Sequence, residues 1–416
     1  MEKLKNEAHY LGNGSYKYAF YFDRTRNERE RGITIDGLKK KKLCTFDKQF
    51  SIIDAPGHRD FINNTVLSIF SSDAVLFVVP ADKGGFEASV NREYGMAKTF
   101  CDILLGAQSN QIIVAINKMD AANYSSERFN EIKEEMKSLM IKRSFKKQFV
   151  EENVAFIPLS GWSGDNLVEK SEKMHWWDGC EVKKTNGKKV LCFTLLDILN
   201  DFIKIPKRKE KDVPLRVSIN NFLKIRGIGD VVTGKCEQGV LKVGAEVAFL
   251  PSHTEFNNCS SKVFSIESFY VNIKNSFPGR NIAFNIMGLS RSNLPKKGDV
   301  VILKSDESLK VCNRFTASVR VLEHPGKLKA GYSPLLIIYN KKSRVKVLKI
   351  NWKKKENSNE REINASFVES RDIAEIVFES SKPMAIDINC QPFSKMIIID
   401  SSKPVMIGKI TEIHPN

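Results

Sequence analysis

Four short stretches carry residue types at spacings that could serve one phosphorylated ligand. In SIIDAPGHRD, Ser51 to Asp60, an apolar run ends in Asp54, Ala55, Pro56, Gly57 and His58. An aspartate at a strand end can hold a magnesium ion through water, and a glycine lets a backbone N–H approach a terminal phosphate unobstructed. His58 follows where an attacking water could be oriented. Asp-x-Pro-Gly is also good turn chemistry, so this stretch alone decides nothing. The second stretch is Asn117-Lys118-Met119-Asp120. A carboxylate that accepts from a ring N–H and an exocyclic amine together selects guanine over adenine, which suits Asp120. The aliphatic stem of Lys118 can cover a flat base while Asn117 ties neighbouring loops. The third, Ser160-Gly161-Trp162, could offer backbone N–H groups to the guanine oxygen. Upstream, in ERERGITID (Glu28 to Asp36), Thr34 could give magnesium its hydroxyl oxygen and the terminal phosphate its N–H. Taken alone, NKMD is an Asn/Asp turn and Thr34 is strand filler. Three such loops in this order, each following a strand-like run, point to a guanine nucleotide.

The elements needed to position them are legible. FSIID (50 to 54), AVLFVVPA (74 to 81), QIIVAINK (111 to 118) and VAFIPLS (154 to 160) are apolar at nearly every position, as strands covered on both faces would be. Between the last two, Phe129, Ile132, Met136, Leu139 and Met140 recur at helical spacing. This β-α-β-α texture predicts an open parallel sheet, which binds ligands at the carboxyl ends of its strands. A further helix, near Thr194 to Ile203, closes the domain. IPKRKEKDVP, Ile205 to Pro214, has the prolines and charge of a linker. Beyond it, short alternating strands with frequent turns predict antiparallel β-barrels, with a second break near Ser305 to Lys310. The expected domains are 1–206, an α/β nucleotide-binding domain; 207–213, a linker; 214–305, a first β-barrel; and 306–416, a second.

The chain of 416 residues carries 66 Lys+Arg against 49 Asp+Glu, a formal charge of +17. An excess of that size favours a polyanionic partner or a solvated basic surface. Lys342, Arg344, Lys346 and Lys349 alternate along an expected strand and could form a phosphate-binding ridge; Lys39 to Lys42 and Lys353 to Lys355 are further basic runs. The eight cysteines include no C-x-x-C pair, which suits reduced thiols rather than a disulfide frame or zinc site. No apolar run approaches a membrane-spanning length, and MEKLKNEAHY lacks the apolar block of a signal peptide, so the expected location is the cytosol.

GSYKYAFYFD, ERERGITID, DAPGHRDFI, NKMD and SGW, in this order, resemble the GTPase domain of eukaryotic translation elongation factor 1-alpha. PLRVSINNFLKIRGIG, GVLKVG, HPGKLKAGYSP and SKPM look like that family's second and third domains, so the resemblance spans essentially the whole chain. It implies a P-loop-type GTPase domain followed by two β-barrels, with GTP/GDP and Mg2+ as cofactors. It further implies a cytoplasmic monomer that carries aminoacyl-tRNA to the ribosomal A site, hydrolyses GTP and is reloaded by a guanine nucleotide exchange factor. On that resemblance His58 positions the attacking water, and Thr34 and Asp54 serve the magnesium. Asn117 to Asp120 and Ser160 to Trp162 hold guanine.

Departures bear on the same expectations. The family opens with a strand, a G-x-x-x-x-G-K-[ST] loop and a helix, and no such stretch precedes MEKLKNEAHYLGNGSYKYAF here. Gly229 to Lys235 has the spacing, but Cys236 replaces the hydroxyl residue and the surroundings are strand-rich, which marks a decoy. The expectation is an elongation factor whose first strand, phosphate loop and first helix lie outside these 416 residues. The chain as written should then bind GTP weakly or not at all, and one sheet flank should be left apolar and unpaired. The family's Gly-Arg-Val-Glu-Thr-Gly is Gly234-Lys-Cys-Glu-Gln-Gly239 here. Its Cys-His-Thr-Ala-His is Ile338-Tyr-Asn-Lys-Lys342, and its Arg-Glu-His is Arg92-Glu93-Tyr94. Two alternatives stay open: a non-catalytic paralogue serving as an RNA-binding or cytoskeletal scaffold, and a release or rescue GTPase, which Arg59, Asn63 and the SGW triplet disfavour.

Overall fold

A computed structural model describes residues 2–10, 17–23, 25–37, 40–91, 95–184, 186–289 and 293–415. Gly14 to Tyr16 of the GSYKYAFYFD motif, Lys39 and Arg92 to Tyr94 lie outside the described residues. The chain forms two compact units, Met1–Ile205 and Pro206–Asn416.

The first unit is built on β3 (Val75–Pro80), β4 (Ile112–Asn117) and β5 (Val154–Pro158), paired in parallel in that order. Ile112 to Ile116 are almost fully buried, which is why that run is apolar throughout and β-branched at all but Ala115. Around the sheet lie α3 (Ile62–Phe70), α4 (Gly85–Val90), α5 (Met96–Gly106), α6 (Ser126–Lys142) and α7 (Lys147–Asn153). Helix α6 starts where the Ser125 side chain accepts from Arg128 N, and it buries Phe129, Ile132, Met136, Leu139 and Met140. A hairpin of β6 (Cys180–Lys183) and β7 (Lys189–Cys192) leads into α8 (Leu195–Asp201), capped by a reciprocal Thr194–Asp197 box. At the amino-terminal side, α1 (Glu2–Tyr10) precedes α2 (Arg26–Arg31), which a Thr25–Glu28 box starts and Gly32, at φ 61°, ends.

FSIID departs from expectation. Its strand, β2 (Gln49–Ile53), pairs antiparallel with β1 (Lys40–Cys44) and joins none of the parallel strands. The four-residue connection, closed by Thr45 N donating to Lys48 O at 2.9 Å, makes this local partner the accessible one. Strand β3 also differs from a strand covered on both faces. Phe77 and Val79 are buried, whereas Leu76 is 43% and Val78 51% exposed. Among the described strands β3 has β4 as its one neighbour, so its other edge and one apolar face are open.

The second unit holds two closed six-stranded antiparallel barrels. The first runs from strand Arg216–Ile225 to strand Val300–Leu303 and closes where Glu246–Leu250 pairs with Ser260–Ser268. The second runs from Lys310–Val321 to Lys403–Pro415 and closes where Leu335–Ile338 pairs with Lys341–Lys355. Ala248, Leu250, Val300 and Ile302 of the first barrel join the core of the second. Across the same seam, fully buried Arg216 donates to Asp387 at 2.7 Å, Asp306 at 2.5 Å and Ser308 at 2.8 Å. Gly229 to Lys235 lies along strand Gly229–Gln238, not in a strand-to-helix loop, so it cannot cradle a phosphate.

Candidate functional site

The loops after β4 and β5 are interlocked. Leu159 N donates to Ile116 O at 2.9 Å and Met119 N to Leu159 O at 3.2 Å, fixing the two strand ends against each other. The Asn117 carboxamide oxygen then accepts from Lys118 N and from Gly161 N, both at 2.8 Å. Ser160, fully buried, donates its hydroxyl to Asp120 Oδ1 at 2.5 Å. The Ser160 bond orients the carboxylate and uses one lone pair of Oδ1, which leaves acceptor capacity on both oxygens for a ligand that donates from two positions. Met119 is buried and anchors the turn, and Lys118 occupies the left-handed region at φ 63°. Four N–H groups of the Ser160 loop are already engaged: Ser160 with Asp165 O, Gly161 with Asn117 Oδ1, Ser163 with Ser160 Oγ and Gly164 with Ser160 O. Trp162 is 58% exposed; the Tyr18 ring meets it edge-on at 6.3 Å and Lys17 sits 5.0 Å above it.

A second cluster forms around Thr34. Its hydroxyl lies 3.0 Å from Asp23 Oδ1 and 3.4 Å from Asp54 Oδ2, and one proton cannot satisfy both carboxylates. Burial first, and then the charge of Asp23, pushes the Asp54 carboxyl above the ordinary aspartate value. Buried Glu28 holds the backbone beyond Thr34, its Oε1 accepting from Ile35 N at 3.2 Å and Asp36 N at 3.1 Å. These are hard oxygen donors suited to magnesium. Among the described residues no group of three or more His, Cys, Asp or Glu could hold a metal ion, so the shell would need water and phosphate oxygens to be complete. After Asp54 and Ala55 the chain turns at Pro56, whose carbonyl accepts from Thr65 Oγ1 at 2.5 Å. At Gly57 an added Cβ would meet nothing within 4 Å, so the backbone there is open to a ligand. His58 caps the turn preceding α3, its Nδ1 accepting from Asp60 N at 3.2 Å, with the ring nearly half exposed.

One segment touches both clusters: Tyr18 packs on Trp162, and Asp23 receives the Thr34 hydroxyl. Tyr18 and Asp23 are five residues apart, a fully extended reach of roughly 17 Å. The turn at Ala19–Tyr21 shortens it further. This one short segment therefore contacts both the Ser160 to Trp162 loop and the Thr34 cluster, even though β2 stands outside the parallel sheet. Two carboxylates escaped the sequence reading. Asp23 ends the YAFYFD run and carried no strand-end signal. Asp82 does follow a strand, and its carboxylate lies 3.1 Å from Lys118 Nζ.

Residues 2–205 match the elongation factor Tu GTP binding domain, and residues 314–411 match the GTP-eEF1A C-terminal domain. Elongation factor 1-alpha of Plasmodium falciparum is 36% identical over 99% of this chain and 88% of its own length. That of Ignicoccus hospitalis is 36% identical over 100% and 89%. The chain belongs to the elongation factor 1-alpha family. Among solved structures, the fold is shared with the Saccharomyces cerevisiae Ski7 GTPase-like domain bound to GTP, at TM-score 0.73 and 18% identity over 99% of this chain and 90% of that one. It is shared also with elongation factor SelB of Methanococcus maripaludis bound to a GTP analogue, at TM-score 0.67 and 21% identity over 92% and 74%. Membership places the chain among guanine-nucleotide-binding translational GTPases. No described helix is long and apolar enough to cross a membrane.

Proposed function

We propose that this elongation factor 1-alpha relative binds GTP and GDP with Mg2+, delivers aminoacyl-tRNA to the ribosomal A site, and hydrolyses GTP there. It acts as a cytoplasmic monomer reloaded by a guanine nucleotide exchange factor. The observation that carries the nucleotide reading is the interlock of Asp120 with Ser160 and of Asn117 with Gly161. Asp120 accepts from guanine N1–H and the exocyclic amine, Lys118 covers the base, and the Ser160 to Trp162 loop lies beside the guanine oxygen. Thr34 and Asp54, joined by Asp23, would hold the magnesium, which when bound neutralises charge on the phosphates. His58 orients the water that attacks the terminal phosphate, and Ala55 to Gly57 bring backbone N–H groups to that phosphate.

The identity along the whole chain supports the tRNA reading, as does a basic ridge on the second barrel. Arg344, Lys346 and Lys349 are all exposed on strand Lys341–Lys355. Lys349 is out of phase by simple alternation, and a bulge between Val347 and Lys349 returns it to the outer face. The ridge is shorter than the sequence suggested. Lys342 is half-buried, and burial, then the charge of Lys297, pushes its ammonium down. Lys353 is buried over the Phe367 ring and paired with Glu362, and Lys355 is paired with Glu369 and Asp372.

The scaffold reading draws on the departures from the family pattern at Gly234-Lys-Cys-Glu-Gln-Gly239 and at Ile338-Tyr-Asn-Lys-Lys342. Measuring protection of the aminoacyl-tRNA ester against hydrolysis, with and without GTP, separates the two. GTP-dependent protection supports the carrier; binding of aminoacylated and deacylated tRNA alike, insensitive to GTP, supports the scaffold.

A further inference from the structure

The segment from Ala81 to Glu87, the loop after β3 and the first turn of α4, belongs to none of the assigned motifs, yet it is fastened to the NKMD turn. Ala81 N donates to Asn117 O at 2.7 Å, and Arg128 of α6 bridges Ala81 O at 3.1 Å and Glu87 at 2.7 Å. On this fixed loop Asp82 directs its carboxylate at Lys118, with Oδ1 3.1 Å from Nζ. That oxygen is shielded from solvent and makes no well-angled hydrogen bond, so the ammonium is its electrostatic partner. The other carboxylate oxygen, Oδ2, would lie 2.6 Å from a Cβ built at Gly85, so only glycine leaves room for the carboxylate there. Lys118 is held at its other end too, by its left-handed backbone and by Asn117 Oδ1 accepting from its N–H.

We propose that Asp82 is a positioning residue for guanine binding, holding the Lys118 ammonium so that the aliphatic stem is stretched across the pocket as a ready-made support for the base. This rests on the guanine reading of the NKMD loop. A lysine stem free in solvent samples many rotamers, and fixing it on binding costs affinity; a stem fixed beforehand avoids that cost. Asp82 thus acts through Lys118 and never touches the nucleotide.

The test is a double-mutant cycle on the full chain, with Asp82→Asn, Lys118→Ala and the pair, reading GDP affinity by ligand-observed NMR at up to millimolar nucleotide. Asp82→Asn is expected to weaken GDP roughly five- to tenfold. In the Lys118→Ala background it should add nothing, and the preference for GDP over xanthosine diphosphate should not move. Gly85→Ala, which displaces the carboxylate without removing it, should reproduce the Asp82→Asn loss and guards against a folding defect. A loss under twofold in both variants, or losses that add to that of Lys118→Ala, overturns the proposal. Asp120→Asn is the control on the parent reading and should switch preference towards xanthosine diphosphate. A switch there with no effect at Asp82 sinks the positioning role alone; no switch sinks both.

Discussion

Removing Arg216 should uncouple the two barrels of the second unit. Its guanidinium makes four hydrogen bonds: to Asp387 Oδ2, to Asp306 Oδ2, to Ser308 Oγ and, at 2.8 Å, to Leu215 O. Arg216 is 1% exposed, and the side chains of Asp306 and Asp387 are 12% and 9% exposed. Burial alone would raise the Asp306 carboxyl, but hydrogen bonds from Ser308 and Arg216 outweigh it and hold the group below the ordinary range. Arg216→Met leaves two shielded carboxylates facing no cation, a defect that costs about 3–5 kcal/mol. With a urea dependence of roughly 3 kcal/mol/M for a unit this size, the unfolding midpoint should fall by roughly 1 to 1.7 M. A second signature follows from the charges. Adding Asp306→Asn and Asp387→Asn to Arg216→Met should recover part of the loss, because the uncompensated charge is gone. A folded-state carboxyl held low contributes stability above its unfolded value and loses it as pH falls through the folded value, so the wild-type advantage should shrink in acid. A midpoint shift equivalent to less than about 1 kcal/mol would refute the ionic seam. A triple variant less stable than Arg216→Met alone would refute it too.

Other outcomes follow. If Lys346 and Lys349 contact tRNA phosphates, Lys346→Ala/Lys349→Ala should flatten the slope of log affinity against log salt by about 1 to 2, and an unchanged slope removes the ridge from the interface. Asp54 is raised in the fold, so native protein holds its proton more tightly than unfolded chain and stability falls as pH rises above the ordinary aspartate value. Asp54→Asn should therefore stabilise the metal-free protein at neutral pH while abolishing any stabilisation by Mg2+; melting curves with and without magnesium check both. Of the eight cysteines only Cys44 is exposed, and burial pushes Cys101, Cys180, Cys192, Cys236 and Cys390 up to about 12. Ellman's reagent should find one fast thiol in the native protein and eight after unfolding.

Local signals made much of this fold legible. Ile112 to Ile116 and the Phe129 to Met140 stripe carry their burial in their own spacing, and the strand ends located NKMD and SGW. Pairing choice was less accessible, because the apolar run of β2 is compatible with either a parallel or a hairpin partner, and the short turn to β1 decides between them. Contacts distant in sequence left no trace. The Arg216 bonds to Asp306 and Asp387 span 90 and 171 residues. Asp23 was missed because its role comes from Thr34 and Asp54 folding onto it. Lys353 misled because a lysine buried against an aromatic ring looks, in sequence, like any solvated one.

The convergence of the two clusters on one nucleotide is tested most directly by amide NMR of the chain titrated with GDP and Mg2+. The account predicts that resonances of Asn117 to Asp120, Ser160 to Trp162, Thr34 and Asp54 to Gly57 shift along a single binding curve unmatched by ADP. Shifts confined to one cluster, separate curves for the two, or an equal response to ADP would contradict it.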